Sequence, residues 1–384
     1  MQFTSIVLIL VATAASTLAA PDLLLQITAH SPGQDTDSLK VLTTIQNSGD
    51  VPLELLNDPR SPLSNLPTDT FTIVNGRGIS PDFVGIEVKY SPQLAATSGD
   101  SLAITYLAPG QSVQVEHDIA LAYNFSTSGP GLYTVNLKPH NVFHNVFHSV
   151  FHYVSGNHSS ELLVEAGTSS HVLNVSRSIA SQTRATPRSE ADTKECDDWQ
   201  HNAVRGAIPH AKHYVANAIA ELSRAGYKGD NYKRWFGAPS DHRLQTVISH
   251  FEALIANNFT EFTYVCKTKF CSHNSGVFAY VYPDEFGKIH VCDMFFRSPV
   301  GGPDSRASTI VHESTHFTRN GGTQDHAYGQ RLTQDLARSY PQLAVMNADN
   351  HEYFAVNAEG EDFRERPALF AQTSSEGPVL EGRT

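Results

Sequence analysis

Val311-His312-Glu313-Ser314-Thr315-His316-Phe317 holds the pattern H-E-x-x-H. On a helix, positions i and i+4 share a face, so His312 and His316 can meet at one metal ion with Glu313 beside them. Ile310, Val311 and Phe317 are apolar neighbours that suit a core-facing helix. Two imidazoles do not complete a catalytic zinc site, which takes three protein ligands and keeps a fourth position open. The third ligand therefore separates one kind of fold from another. The extended pattern H-E-x-x-H-x-x-G-x-x-H is excluded, because Arg319 and Gly322 stand where Gly and His would be needed. Spacing leaves two candidates. One is Glu352 on a later helix; the other is Asp325, just past the turn Asn320-Gly321-Gly322 that ends the first helix.

Around this stretch the chain reads as mostly helical. Apolar residues Trp199, Val204, Ile208, Ala211, Val215, Ile219 and Leu222 recur at helical spacing between Asp197 and Gly226. His242 to Asn257 repeats the pattern, and helix is also expected over about 307–317, 324–338 and 350–356. FTYVC, GVFAYVYP and KIHVCDMFF read as strands, the last two as a hairpin across Asp284-Glu285-Phe286-Gly287.

The first half differs. LLLQITAH, SLKVLTTIQNSG, TFTIVNG, GIEVKYS, SLAITYL, SVQVEHDI and GLYTVNLK are short β-type runs between Gly, Pro, Asn, Asp and Ser clusters. Their spacing predicts an antiparallel sandwich or small barrel. A tetrapeptide repeats three times over Asn141–His152, preceded by His140. Its Val and Phe favour strand, and no carboxylate or cysteine accompanies the histidines, so it reads as a short tandem duplication rather than a metal site. Residues 176–195 are polar and lack periodicity, as an exposed linker would.

The chain has 384 residues, enough for about two domains. Its 40% hydrophobic and 17% charged content is globular, and a formal net charge of -12 disfavours nucleic acid or an anionic membrane as partner. Ile6–Ala15 is an apolar run too short to span a bilayer, and Thr17 and Ala19 suit signal-peptidase cleavage, although no Lys or Arg precedes the run. A secreted protein follows as the expectation. Four cysteines, Cys196, Cys266, Cys271 and Cys292, all in the second half, then predict two disulfides, with three connectivities open. Sequons at Asn124, Asn157, Asn174 and Asn258 are candidate glycan sites.

Gly322-Thr323-Gln324-Asp325-His326-Ala327-Tyr328-Gly329 matches G-T-x-D-x-x-Y-G downstream of H-E-x-x-H. Together these motifs resemble the signature of the aspzincins, the deuterolysin family of secreted zinc endopeptidases. From Cys196 to about Asn357 the chain looks nearest to the fungal peptidyl-Lys branch, through TIVHESTHFTRNGGTQDHAYG and NADNHEYFA. The resemblance implies Zn2+ held by His312, His316 and Asp325, Glu313 as general base and Tyr328 as hydrogen-bond donor to the oxyanion. It implies that Asp349 and Glu352 line a pocket for Lys at P1′, and that disulfides join Cys196 to Cys266 and Cys271 to Cys292.

The expected fold is α+β: an all-β, sandwich-like prodomain, then a mainly α zincin domain with a small β-sheet. The expected boundaries are a signal peptide at 1–19, the propeptide domain at 20–175, a cleavable linker at 176–193, the peptidase at 194–358 and a flexible tail at 359–384. Protein or peptide substrates and the chain's own propeptide, as inhibitor or folding aid, are the expected partners of a monomer. A Lys-directed enzyme could free itself before Lys194. A deuterolysin-like enzyme without Lys preference and an inactive zinc-binding homologue are the alternatives.

Overall fold

The computed structural model describes residues 21–29, 39–139, 141–143, 146–155, 158–165, 169–181, 196–224, 229–266, 268, 270–271 and 276–358. The expected signal peptide, Asn157, the linker from 182 onward with Lys194, and the tail at 359–384 lie outside these residues.

The N-terminal half contains antiparallel sheets. In one, Lys40–Asn47 lies between Leu23–Ala29 and Ser112–Asp118. Its Val41, Thr43, Ile45 and Asn47 alternate inward with the period of two that a half-buried strand requires. A second sheet centres on Gly131–Leu137, flanked by Phe71–Asn75 and His171–Val175. A third runs Asn141–Phe143, Val146–Ser155, Leu53–Leu56, Ile104–Leu107, with His158–Glu165 also paired to Val146–Ser155. Val41, Ile45, Leu55, Tyr133, Val135 and Phe151 pack in one apolar core. The tandem repeat thus lies largely in strands, and its last histidine is buried with Nδ1 3.0 Å from Asp58 Oδ2. This half is not wholly β as expected, since short helices Pro92–Thr97 and Ile119–Ala122 interrupt it.

One strand of the first half leaves its neighbours. This strand, β1 (Glu87–Tyr90), forms the edge of a sheet otherwise built from β2 (Thr263–Cys266), β3 (Val277–Val281) and β4 (Lys288–Val291). The order across that sheet is β2-β4-β3-β1; β2 runs parallel to β4, and β3 is antiparallel to both β4 and β1. The expected hairpin is present, with Gly287 at φ +77 in its turn. The final strand is shorter than its apolar run, because Cys292 caps a helical turn over Asp293–Arg297.

The main helices are α1 (Asp198–Leu222), α2 (Asp230–Phe236), α3 (Asp241–Ile255), α4 (Arg306–His316), α5 (Gly329–Ser339) and α6 (Ala348–Asn357). A capping box of Asp197 and Gln200 starts α1, and its Val204, Ile208, Ala211, Val215 and Leu222 face the core. Trp199, expected in that stripe, is exposed and has its ring 5.5 Å from that of Phe296, while the next residue, Gln200, takes the buried position in the first turn. Helix α4 packs against α1 and α6 and against β1 and β3. Cystines Cys196–Cys266 and Cys271–Cys292 join α1's entry to β2 and the segment after β2 to the end of β4. Among the sequons, Asn174 and Asn258 are exposed and Asn124 is half-buried.

Candidate metal centre and cleft

Ser305 caps α4 in a reciprocal box with Ser308, which sets the helix start and hence the face on which His312 and His316 project. Both histidines and Glu313 are fully buried. After His316 the chain turns sharply: the N–H groups of Gly321 and Gly322 both donate to the Phe317 carbonyl. A side chain at Gly321 would meet the His250 ring at 2.9 Å, and Gly322 takes φ +58. The two glycines are what let the backbone double back onto α4. Residues 324–328, expected as helix, are not helical: Gln324 makes an isolated bridge and the chain bends at His326. Gln324 bridges to Asn347, whose side-chain oxygen accepts from His326 and Ala327 N–H at 2.7 and 3.0 Å. This clamp carries Asp325 to the histidines.

Three side chains converge. His312 Nε2 and His316 Nε2 are 3.1 Å apart. Asp325 Oδ1 is 3.3 Å from the first, and Oδ2 is 3.4 Å from the second. Donors about 2.0–2.1 Å from a tetrahedral zinc would lie about 3.3 Å from one another, so the spacing fits that ion. The second nitrogens are occupied in the sense a metal needs. His316 Nδ1 donates to the Thr323 carbonyl at 2.7 Å, which leaves Nε2 bare. His312 Nδ1 lies 2.8 Å from Asp349 Oδ1, though off the line of a good hydrogen bond. Asp325 Oδ1 is buried with no hydrogen-bond partner among the described residues, a costly position for a carboxylate unless a cation faces it. Burial pushes the His316 imidazole down to about 4 and the Glu313 carboxyl up to about 8.

Strand β1 crosses this cluster. The Tyr328 hydroxyl donates to the Val88 carbonyl oxygen at 2.5 Å. On the next residue, the Lys89 N–H donates to Glu313 Oε1 at 3.0 Å, while Glu313 Oε2 is buried without a partner among the described residues. The Val88 N–H donates to Asp325 Oδ2 at 2.9 Å. Arg60 lies over the Tyr328 ring at 4.0 Å and donates to the His326 carbonyl at 3.1 Å.

The Lys89 side chain enters a pocket floored by α6. Its Nζ lies 2.8 Å from Asp349 Oδ1, 2.7 Å from Glu352 Oε2 and 2.9 Å from Asp304 Oδ1. Lys89, Asp349 and Glu352 are fully buried, whereas the Asp304 side chain is 30% exposed and closes the mouth. Burial alone would favour the neutral amine. The Asp304, Asp349 and Glu352 carboxylates outweigh it and hold the ammonium form well above its usual range. Burial likewise opposes the Asp349 carboxylate, and Lys89 and His312 overcome it, so its pKa falls below the usual value.

All seven residues expected at the site are therefore gathered around one peptide unit. Asp304 and Lys89 were not foreseen. Asp304 sits at φ +50, the left-handed region uncommon for a residue with a side chain, and Tyr353 Oη holds its Oδ1 at 2.9 Å. The Gly301-Gly302-Pro303-Asp304 loop before α4 was its one sequence signal, and an Asp beside a helix start reads first as capping.

Residues 221–356 match the aspzincin family, described as lysine-specific metallo-endopeptidase. A protein of Grifola frondosa named peptidyl-Lys metalloendopeptidase is 40% identical over 358 residues, covering 93% of this chain and 99% of the relative. One of the same name from Armillaria mellea is 36% identical, covering 90% of this chain and 94% of its own. A solved zinc peptidase from Grifola frondosa is 42% identical over 42% of this chain and 97% of its own, with a TM-score of 0.40.

Proposed function

This chain belongs to the aspzincin family and is a metalloendopeptidase; from that premise we propose that it uses zinc and cuts on the N-terminal side of lysine. The observation that carries the lysine preference is the seat of Lys89. Its ammonium meets three carboxylates while its own peptide nitrogen meets Glu313 and the preceding carbonyl meets Tyr328. An uncharged side chain in that pocket would leave buried carboxylates uncompensated. A planar guanidinium needs a wider space than a compact ammonium on a flexible stem.

His312, His316 and Asp325 would hold the ion, and the donor spacing supports this reading. Zinc, when bound, supplies Lewis acidity that polarises the scissile carbonyl and lowers the pKa of water toward about 7. Glu313 accepts a proton from the attacking water and returns it to the departing nitrogen, to which its Oε1 already points. The Tyr328 hydroxyl donates to the carbonyl oxygen as charge builds there.

The domain reading follows the same line. Residues 20–175 are the prodomain, 176–193 the cleavable linker and 194–358 the peptidase of a secreted monomer, with a cut before Lys194 releasing the peptidase. The leader-like N-terminus and two cystines support export.

The test is digestion of a denatured protein of known sequence by the processed enzyme, with and without a zinc chelator, mapping every new terminus by mass spectrometry. Chelator-sensitive cuts with Lys at nearly every new N-terminus are expected. Chelator-sensitive cuts without Lys preference would remove the pocket assignment and keep the peptidase.

A further inference from the structure

The strand that fills the cleft belongs to the same molecule, and its register is that of a substrate. β1 adds antiparallel to the edge of β3, with Lys89 opposite Ala279 and Val88 opposite Tyr280. Main-chain pairing at a sheet edge, with a pocket for one side chain, is how extended peptides are captured. The strand is anchored on both sides of the site: Ile86 N–H donates to the Pro67 carbonyl at 3.0 Å, and Ser91 N–H to the Gly276 carbonyl at 3.1 Å. Gly85 is required just upstream, because a Cβ there would lie 1.9 Å from the Pro67 oxygen. Between these anchors a single peptide bond, Val88–Lys89, has its oxygen at Tyr328 and its nitrogen at Glu313. Its P1′ side chain fills the carboxylate pocket. A segment serving only to pack the two halves together would need neither the carbonyl at the tyrosine nor the amide at the glutamate.

We propose that Val88–Lys89 is a self-cleavage site, cut within the molecule that carries it, and that β1 keeps other substrates out until that cut is made. The inference rests on the endopeptidase reading above. In the step, the oxygen of a water bonds to the Val88 carbonyl carbon and the C–N bond to Lys89 breaks. One water proton passes through Glu313 to the Lys89 nitrogen and the second follows it from the new carboxyl group, giving a Val88 carboxylate and a Lys89 α-ammonium. The strand is then severed at its centre, each piece keeps only one of the two anchors, and both can leave the cleft.

The full chain is purified in chelator, and zinc is added to start the reaction. New N-termini are followed by mass spectrometry at widely separated protein concentrations, with a Lys-containing reporter peptide assayed alongside. A terminus beginning at Lys89 is expected as the first internal one, with a half-time that dilution does not change. Reporter cleavage should rise only after it. Lys89→Gln should abolish that terminus. Lys89→Arg, which keeps the buried positive charge should Gln impair folding, should slow it by about ten-fold or more. Reporter cleavage with Val88–Lys89 intact would overturn the inference, as would a half-time that shortens with concentration. Both results leave the endopeptidase standing. A zinc-loaded chain that cuts neither itself nor the reporter overturns the endopeptidase reading and this inference with it.

Discussion

Tyr328 joins three parts of the chain: its hydroxyl meets Val88, its ring lies under Arg60, and its backbone follows the Asp325 clamp. If the hydroxyl acts on the developing oxyanion, Tyr328→Phe should lower kcat by about 10²–10³ and leave zinc content and KM nearly unchanged, measured on the processed enzyme. Asp304 makes a different prediction. Its carboxylate meets the lysine ammonium and the Tyr353 hydroxyl, away from the histidines, and is partly exposed, so Asp304→Asn should raise KM for Lys substrates with little effect on kcat. Loss of kcat alone would assign Asp304 to α4's position instead. The meeting of His312, His316 and Asp325 was legible because H-E-x-x-H and G-T-x-D-x-x-Y-G are local patterns that bring those side chains together. Asp304 was not, since its role depends on a left-handed backbone and a neighbour, Tyr353, far along the chain.

Among the elements, α3 and α6 meet through a pair of histidines. His351 Nδ1 donates to the Asn347 carbonyl, so its Nε2 accepts from His250 Nδ1, 3.0 Å away. Burial lowers His250 to about 4, and burial with His250 nearby lowers His351 to about 3. Both folded values lie below the ordinary 6.5. Their contribution to stability is therefore complete above pH 6.5 and is lost as pH falls through about 4 and then about 3. Each histidine that must take up a proton on unfolding should cost about 1.4 kcal/mol per pH unit in that window. Thermal melts from pH 7 down to about 4 should show Tm falling, and His250→Asn should flatten the fall; an unchanged slope would assign the acid sensitivity elsewhere. Helices α1 and α3 were legible from their apolar spacing, because each buries one stripe, whereas α4 is buried on every side from Ala307 to His316. Residues 324–328 were misread as the start of α5. Their apolar content is ordinary for a helix, but the Asn347 side chain captures the N–H groups of His326 and Ala327, and that capture is invisible to spacing.

At the scale of the molecule, the division into a β-rich half and a helical half was legible from composition, and each half has its own apolar core. What composition could not show is that the halves share a sheet. GIEVKYS reads as one more strand of the first half, since Val, Ile and Tyr suit a strand wherever it pairs. Its partner is chosen by the cleft. Lys89 is unlike the other residues of that run, because a fully buried lysine needs counter-charges, and α6 and the loop before α4 hold them. A buried lysine in the first half, beside Val88 and opposite β3, is also what makes the self-cleavage prediction specific to one bond.

All five residues of β3 are buried, and β1 covers its outer rim. Once β1 departs, that rim presents unpaired amide and carbonyl groups on a run of Val, Phe, Ala, Tyr and Val. Such a rim is a template for joining a second copy side by side, and nothing on β3 itself, neither a charge nor a proline, opposes it. The uncut chain would then be the form that stays dispersed when concentrated. The processed enzyme would depend on a steady supply of peptide to keep that rim occupied, and a stock held without peptide would be the one to cloud.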